Sequence, residues 1–105
     1  MALDELGQPP APCVENIHSA VYVAACRPDA LDMGRWHCGT THCRAGLIVT
    51  LAGEAGAKLA RFHNTELAAR LIYRASGYAI HPARFYDGNQ AALDDMRKLA
   101  EGEAA

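Results

Sequence analysis

Between Cys43 and Leu51 the chain reads Cys-Arg-Ala-Gly-Leu-Ile-Val-Thr-Leu, and a helix drawn through it has no continuous polar side. Cys43, Ala45, Leu47, Ile48, Val49 and Leu51 spread apolar groups around almost the whole circumference. Such a helix has to be enclosed by other elements, because any side left open would hold apolar surface in water. The stretch is read as a central helix over residues 41–52. Gly46 in its interior costs about 1 kcal/mol against Ala, which implies a packing reason such as close approach of a neighbouring helix.

The rest of the chain supplies the enclosing helices. Over residues 14–26, Ile17, Ala20, Val21, Ala24 and Ala25 recur at helical spacing, with Asn16 as a cap and Arg27-Pro28 as the stop. A further helical turn is expected over residues 28–33. Gly53 closes the central helix, and residues 54–63 form the next, with Ala55, Leu59 and Phe62 on its inner stripe. Asn64 or Thr65 caps a fourth helix, whose apolar face is Leu67, Ala68, Leu71, Ile72 and Ala75 and whose end is marked by Gly77. Residues 78–88 lack a helical period, with Phe85-Tyr86 packing back on the core and Asp87-Gly88 as a turn. Asn89 caps a last helix that turns Leu93, Met96 and Ala100 inward. With Pro9-Pro10 and Pro12, residues 1–13 read as a flexible N-terminal arm. The expected fold is all-α, a compact irregular bundle of about five helices in a single domain over residues 14–105.

Composition narrows the function classes. The 105 residues suffice for one core without a metal or disulfide as staple. A net charge of -2 lacks the basic footprint of a nucleic-acid module; Arg61, Arg70, Arg74 and Arg84 offer a local basic face as one reading, and the plainer reading is solvated helix surface. No segment approaches the ~20 apolar residues of a membrane span. The acidic start, Met1-Ala2-Leu3-Asp4-Glu5-Leu6, lacks the basic and apolar regions of a signal peptide, so a cytoplasmic location with reduced thiols is expected. Cys13 and Cys26 are read as buried, inert thiols.

The chemistry-bearing residues concentrate in Trp36-His37-Cys38-Gly39-Thr40-Thr41-His42-Cys43-Arg44-Ala45-Gly46. Zinc is one reading: Cys38 with His42 or Cys43 makes one ligand pair, and His37 or His18 can add to it. The second pair that a structural zinc site needs is missing nearby, so the motif is half a site. An activated thiol is another. With Thr40 as helix cap, Cys43 falls at the third helical position, where the helix dipole favours a thiolate and His37 or His42 stands near as a base. The third reading is structural: Gly39 turns the chain, a Thr caps the helix, Cys43 enters the core and Trp36 covers the helix end. On it, His18, His37 and His42 are surface residues bonded to turn carbonyls, and a Cys38–Cys43 disulfide requires residues 38–41 to turn.

These residues also carry a resemblance. Asn16-Ile17-His18 with Val21-Tyr22, the Cys38-Gly39-Thr40-Thr41-His42-Cys43-Arg44-Ala45-Gly46 core, Leu51-Ala52-Gly53-Glu54-Ala55-Gly56, Leu71-Ile72-Tyr73 and Phe85-Tyr86 resemble an uncharacterised bacterial and phage protein family. Its members occur as short proteins and as a domain beside pentapeptide repeats, and the likeness spans residues 14–100. A looser group keeps Cys-Gly-Thr, the second Cys and Ala-Gly but not the residue at His42, which weighs against a zinc site using His42. Leu47 stands where those relatives usually carry Trp, a change that fits a packing position. The resemblance implies bacterial or phage accessory context and lends no activity.

The reading that follows is a small accessory protein acting by protein–protein binding, with the Cys/His turn as a structural element. Inhibition of host defence machinery by a phage-encoded protein is one alternative. A metal- or thiol-dependent function centred on Cys38, His42 and Cys43 is another. The reading leans away from an enzyme, assigns no catalytic residue or cofactor, keeps zinc as the one candidate ion, and leaves oligomeric state open.

Overall fold

The computed structural model describes residues 9–27, 30–33, 37–38 and 41–104, and of residues 37, 38, 41, 42 and 82 it describes the backbone. Among these, five α-helices form a small all-α bundle: α1 (Ile17–Ala25), α2 (Arg44–Leu51), α3 (Gly53–Phe62), α4 (Thr65–Ala75) and α5 (Asn89–Ala104). A 3-10 helix, Pro82–Tyr86, interrupts the stretch expected to be non-helical. Pro82 starts it, since a missing N–H costs nothing in a first turn, and the His81 ring accepts from the Ala83 N–H at 3.0 Å. Ahead of α2, β1 (His37–Cys38) and β2 (Thr41–His42) pair antiparallel, His37 opposite His42 and Cys38 opposite Thr41.

The apolar sequence of α2 has the expected result. Ala45, Gly46, Leu47, Ile48 and Val49 are all buried, with α1, α3 and α4 packed against the helix. Leu47 fills a core position. Across this core, α1 lies along α5. Ile17 and Val21 from α1, Ala68, Ala69 and Ile72 from α4, and Ala92 and Met96 from α5 complete the interior. Small residues dominate these contacts, so the helices approach closely and the core is thin.

Several expectations need correction. α1 begins at Ile17, later than residue 14, and α2 begins at Arg44, because residues 41–42 are committed to the hairpin. Residues 30–33 are not helical, while residues 28–29 lie outside the description. Of the expected arm, residues 9–13 carry no regular structure and Ala11 packs on the core, the remainder lying outside the described residues. On α3 the inner stripe is Gly56 and Leu59, whereas Ala55 and Phe62 are exposed. Leu59 is buried as expected, and Gly56, silent in a hydrophobic pattern because it has no side chain, takes the place expected for Ala55. Asn89 is the first residue of α5, and its side chain reaches back to accept the Met33 N–H at 2.7 Å.

Two glycines govern the α2–α3 corner. Gly53 holds φ +67, a left-handed conformation that ends α2 and lets α3 start at once. Gly56 allows the helices to touch: a Cβ there meets the Val49 carbonyl oxygen at 2.5 Å and the Ala52 Cβ at 2.7 Å. Gly56→Ala is therefore expected to destabilise the fold by about 1–3 kcal/mol through overpacking, read by chemical denaturation. An unchanged midpoint would show that the corner yields freely.

Candidate functional site

The Cys/His turn reaches the core through Cys43. Its backbone is extended (φ -73, ψ 174), which makes it the N-cap of α2, and its Sγ accepts the Gly46 N–H at 3.3 Å. Cys43 thus takes the capping role assigned to Thr40 and leaves the third helical position to Gly46. Burial pushes the thiol pKa up, outweighing the Gly46 and Ala45 N–H groups that draw it down. The helix start does not activate this sulfur. It uses it as a cap.

Arg44 follows as the first residue of α2. Its side chain is 0 % exposed. Nη1 donates to Asp95 Oδ2 on α5 at 2.7 Å, and the half-exposed Arg84 donates to the same oxygen at 3.3 Å. Nε and Nη2 of Arg44 have no hydrogen-bond partner among the described residues. A charge so placed is stable only while its counter-charge stays, because desolvation of an unpaired guanidinium costs several kcal/mol.

Tyr73 continues the seam on α4. Burial raises its pKa to about 12, against the pull of the Arg44 cation toward the phenolate. Its hydroxyl and His18 Nδ1 lie 2.8 Å apart, and the His18 ring stacks on Tyr78 with centroids 4.0 Å apart. His18 is thus a buried core residue, not the surface histidine expected. Burial lowers its pKa below 6.5, with the Arg44 and Arg84 cations adding to the effect and the Glu103 and Asp95 carboxylates opposing it.

Glu103 ends the seam by capping α1 from a distance. Its two oxygens accept the Ser19 N–H at 2.8 Å and the His18 N–H at 3.2 Å, donors that a local cap would ordinarily satisfy. Asn16 occupies the N-cap position in a left-handed conformation (φ 51, ψ 49) and makes no side-chain cap. Burial pushes the Glu103 pKa up, but the Ser19 and His18 donors prevail and hold it below 4.5. The positive end of α1 adds to that preference for the carboxylate.

The seam therefore joins residues of α2, α5, α4 and α1: Arg44 with Asp95, Tyr73 with His18, and Glu103 with the Ser19 and His18 N–H groups. Of the residues expected to bind a metal, the side chains of His37, Cys38 and His42 lie outside the described residues, as do Trp36 and the thiol pairing of Cys38. Cys43 and His18 have the structural roles given above. Among the described residues no group of three or more His, Cys, Asp or Glu side chains is arranged to hold a metal ion. Cys13 and Cys26 are exposed, contrary to the expected burial. The four arginines do not act as one basic face: Arg84 joins the seam, and Arg61 lies 3.8 Å from Glu54. Arg44, Tyr73, Asp95 and Glu103 escaped the sequence analysis, and the one signal for Arg44 was a cation opening an otherwise apolar helix. No helix among the described residues is long and apolar enough to cross a membrane. The chain matches no family model, no curated protein and no solved structure.

Asp95→Asn keeps the shape of the acceptor but strands the Arg44 charge, and is expected to cost about 3 kcal/mol by chemical denaturation. Arg84→Gln, at the exposed arm of the pair, should cost less than about 1 kcal/mol. Equal losses would show that the buried guanidinium is not the sensitive element.

Acid should also weaken the fold. The unfolded chain protonates His18 first, so its contribution is complete above pH 6.5 and declines as pH falls below that value. Glu103 adds a further loss as pH falls below 4.5. Unfolding free energy should thus drop between about pH 7 and pH 5, and His18→Gln should flatten that interval. A wild-type profile with no slope there would contradict the burial of a neutral His18.

Proposed function

We propose that this chain is a small accessory binding module whose ligand is another protein, with the Cys/His turn and the polar seam serving to hold the bundle. The observation that carries this reading is an apolar groove of about 480 Å³ along the outer side of α3. Val49, Gly53, Ala57 and Ala60 form its floor, and Arg61 stands at its rim. Glycine and alanine leave room for side chains that the chain itself does not provide. Leu51 and Phe62, on the flanking turns of sequence, are 37 % and 49 % exposed.

A fitting partner is a protein segment with one or two apolar anchors and an acidic residue beside them. The anchors fill the groove, as a helix face fills a hydrophobic cleft, and the carboxylate meets Arg61. Such anchors dominate binding energy when they are enclosed and water is excluded. Bacterial or phage accessory context and a cytoplasmic location are in keeping with the family resemblance of the Cys/His core. Against thiol chemistry stand the capping role of Cys43 and its raised pKa.

Ala57→Glu puts a carboxylate on the groove floor at an accessible position. A partner captured from host lysate by the wild type should bind the variant roughly tenfold or more weakly, with the melting temperature preserved. A partner that binds both proteins equally would remove the groove from the reading.

A further inference from the structure

We propose that a second cavity, on the opposite side of the fold's sequence from the α3 groove, binds a small organic carboxylate. It holds about 540 Å³ between the C-terminal turn of α1, Ala30 and Leu31, and the first half of α5. That volume lies within the range of small-molecule sites. Its walls combine two kinds of surface. Ala25, Leu31 and Leu93 offer an apolar bed, while Tyr22, Arg27 and Arg97 supply donors around it.

The sign of the charge selects the ligand. Two guanidiniums, Arg27 and Arg97, line the cavity with one carboxylate, Asp94. Asp94 is already held by Gln90 Nε2 at 3.0 Å and lies 3.7 Å from Arg97 Nη2. Arg27 has no ion-pair partner among the described residues. The helix dipoles do not decide the matter, since α1 brings its negative end to the cavity and α5 its positive end. Among the described residues the lining therefore carries one unpaired positive charge, Arg27, over an apolar bed, which fits an anion with a hydrocarbon body. A carboxylate suits the planar fork of a guanidinium, which can hold both oxygens at once.

Cys26 gives the cavity a built-in reporter. Its thiol is exposed and lines the cavity. Binding in the cavity should shield it.

The test uses the full chain carrying Cys13→Ser, which removes the other exposed thiol among the described residues, with modification of Cys26 followed by peptide mass, benzoate as the probe and benzamide as its neutral counterpart. Benzoate should give saturable amide shifts at Cys26, Arg27 and Leu93, and should slow modification of Cys26 by the uncharged reagent 2,2′-dithiodipyridine. Benzamide should do neither. Arg27→Gln and Arg97→Gln, both at exposed positions, should each weaken benzoate roughly fivefold or more in the amide-shift titration, with protection of Cys26 scored against each variant's own unprotected rate. The proposal is overturned if benzoate gives no saturable shift, if benzamide binds equally, or if the double Arg variant binds as the parent does. Because Ala57 is remote in sequence from every wall of this cavity, loss of benzoate binding leaves the α3 groove reading standing, and the reverse holds.

Discussion

The bundle depends on one buried ion pair. Arg44 opens the most apolar helix of the chain, is wholly enclosed, and finds its counter-charge on Asp95 of α5. The apolar contacts around α2 supply most of the attraction but are tolerant of sliding. An ion pair at 2.7 Å is not, because a displacement of α5 relative to the start of α2 leaves the enclosed Arg44 charge alone. Hydrophobic burial gathers the helices, and the Arg44–Asp95 pair fixes their register. Arg84 on the 3-10 helix shares the same carboxylate oxygen and so draws the irregular segment to that register point. Tyr86 makes a second tie from that segment, donating to Glu66 of α4.

The Cys/His turn takes its place in that frame. A thiol at the N-cap of α2 is an unusual cap, weaker than a hydroxyl or carboxylate as an acceptor. It accepts an N–H without bringing a strongly hydrated group inside, which suits a helix start that is buried. The residue that attracts attention as a nucleophile thus caps a helix, and the residue beside it, an ordinary arginine by composition, carries the buried charge.

What the sequence made legible follows from the range of each interaction. Local patterns worked where the interaction is local: Asn64 caps α4 by accepting the Leu67 N–H at 2.8 Å, Gly53 and Gly77 hold positive φ at helix ends, and the five helices occupy the expected segments. On α3 the place expected for Ala55 went to Gly56, which packs without contributing to hydropathy. The site was nearly illegible. His18 and Tyr73 are separated by 55 residues, Arg44 and Asp95 by 51, and His18 and Glu103 by 85. No periodicity connects such positions, and titratable residues at helical spacing read as solvated faces until the bundle closes. His18 and Asn16 were misassigned for that reason. Each had a plausible local role, and a distant residue displaced it.

The remote cap on α1 has a consequence for how the protein is made. Residues 17–25 leave the ribosome early, but the carboxylate that satisfies their first N–H groups belongs to residue 103. At about 5–20 residues per second, the helix waits several seconds for its cap. During that interval α1 is nine residues long with an open N-terminus, too short to persist alone in water. Its partner helix α5 carries that carboxylate and emerges after every other described helix. Among the described helices α1 is therefore made early and secured late, once a loop of 84 residues has closed on it.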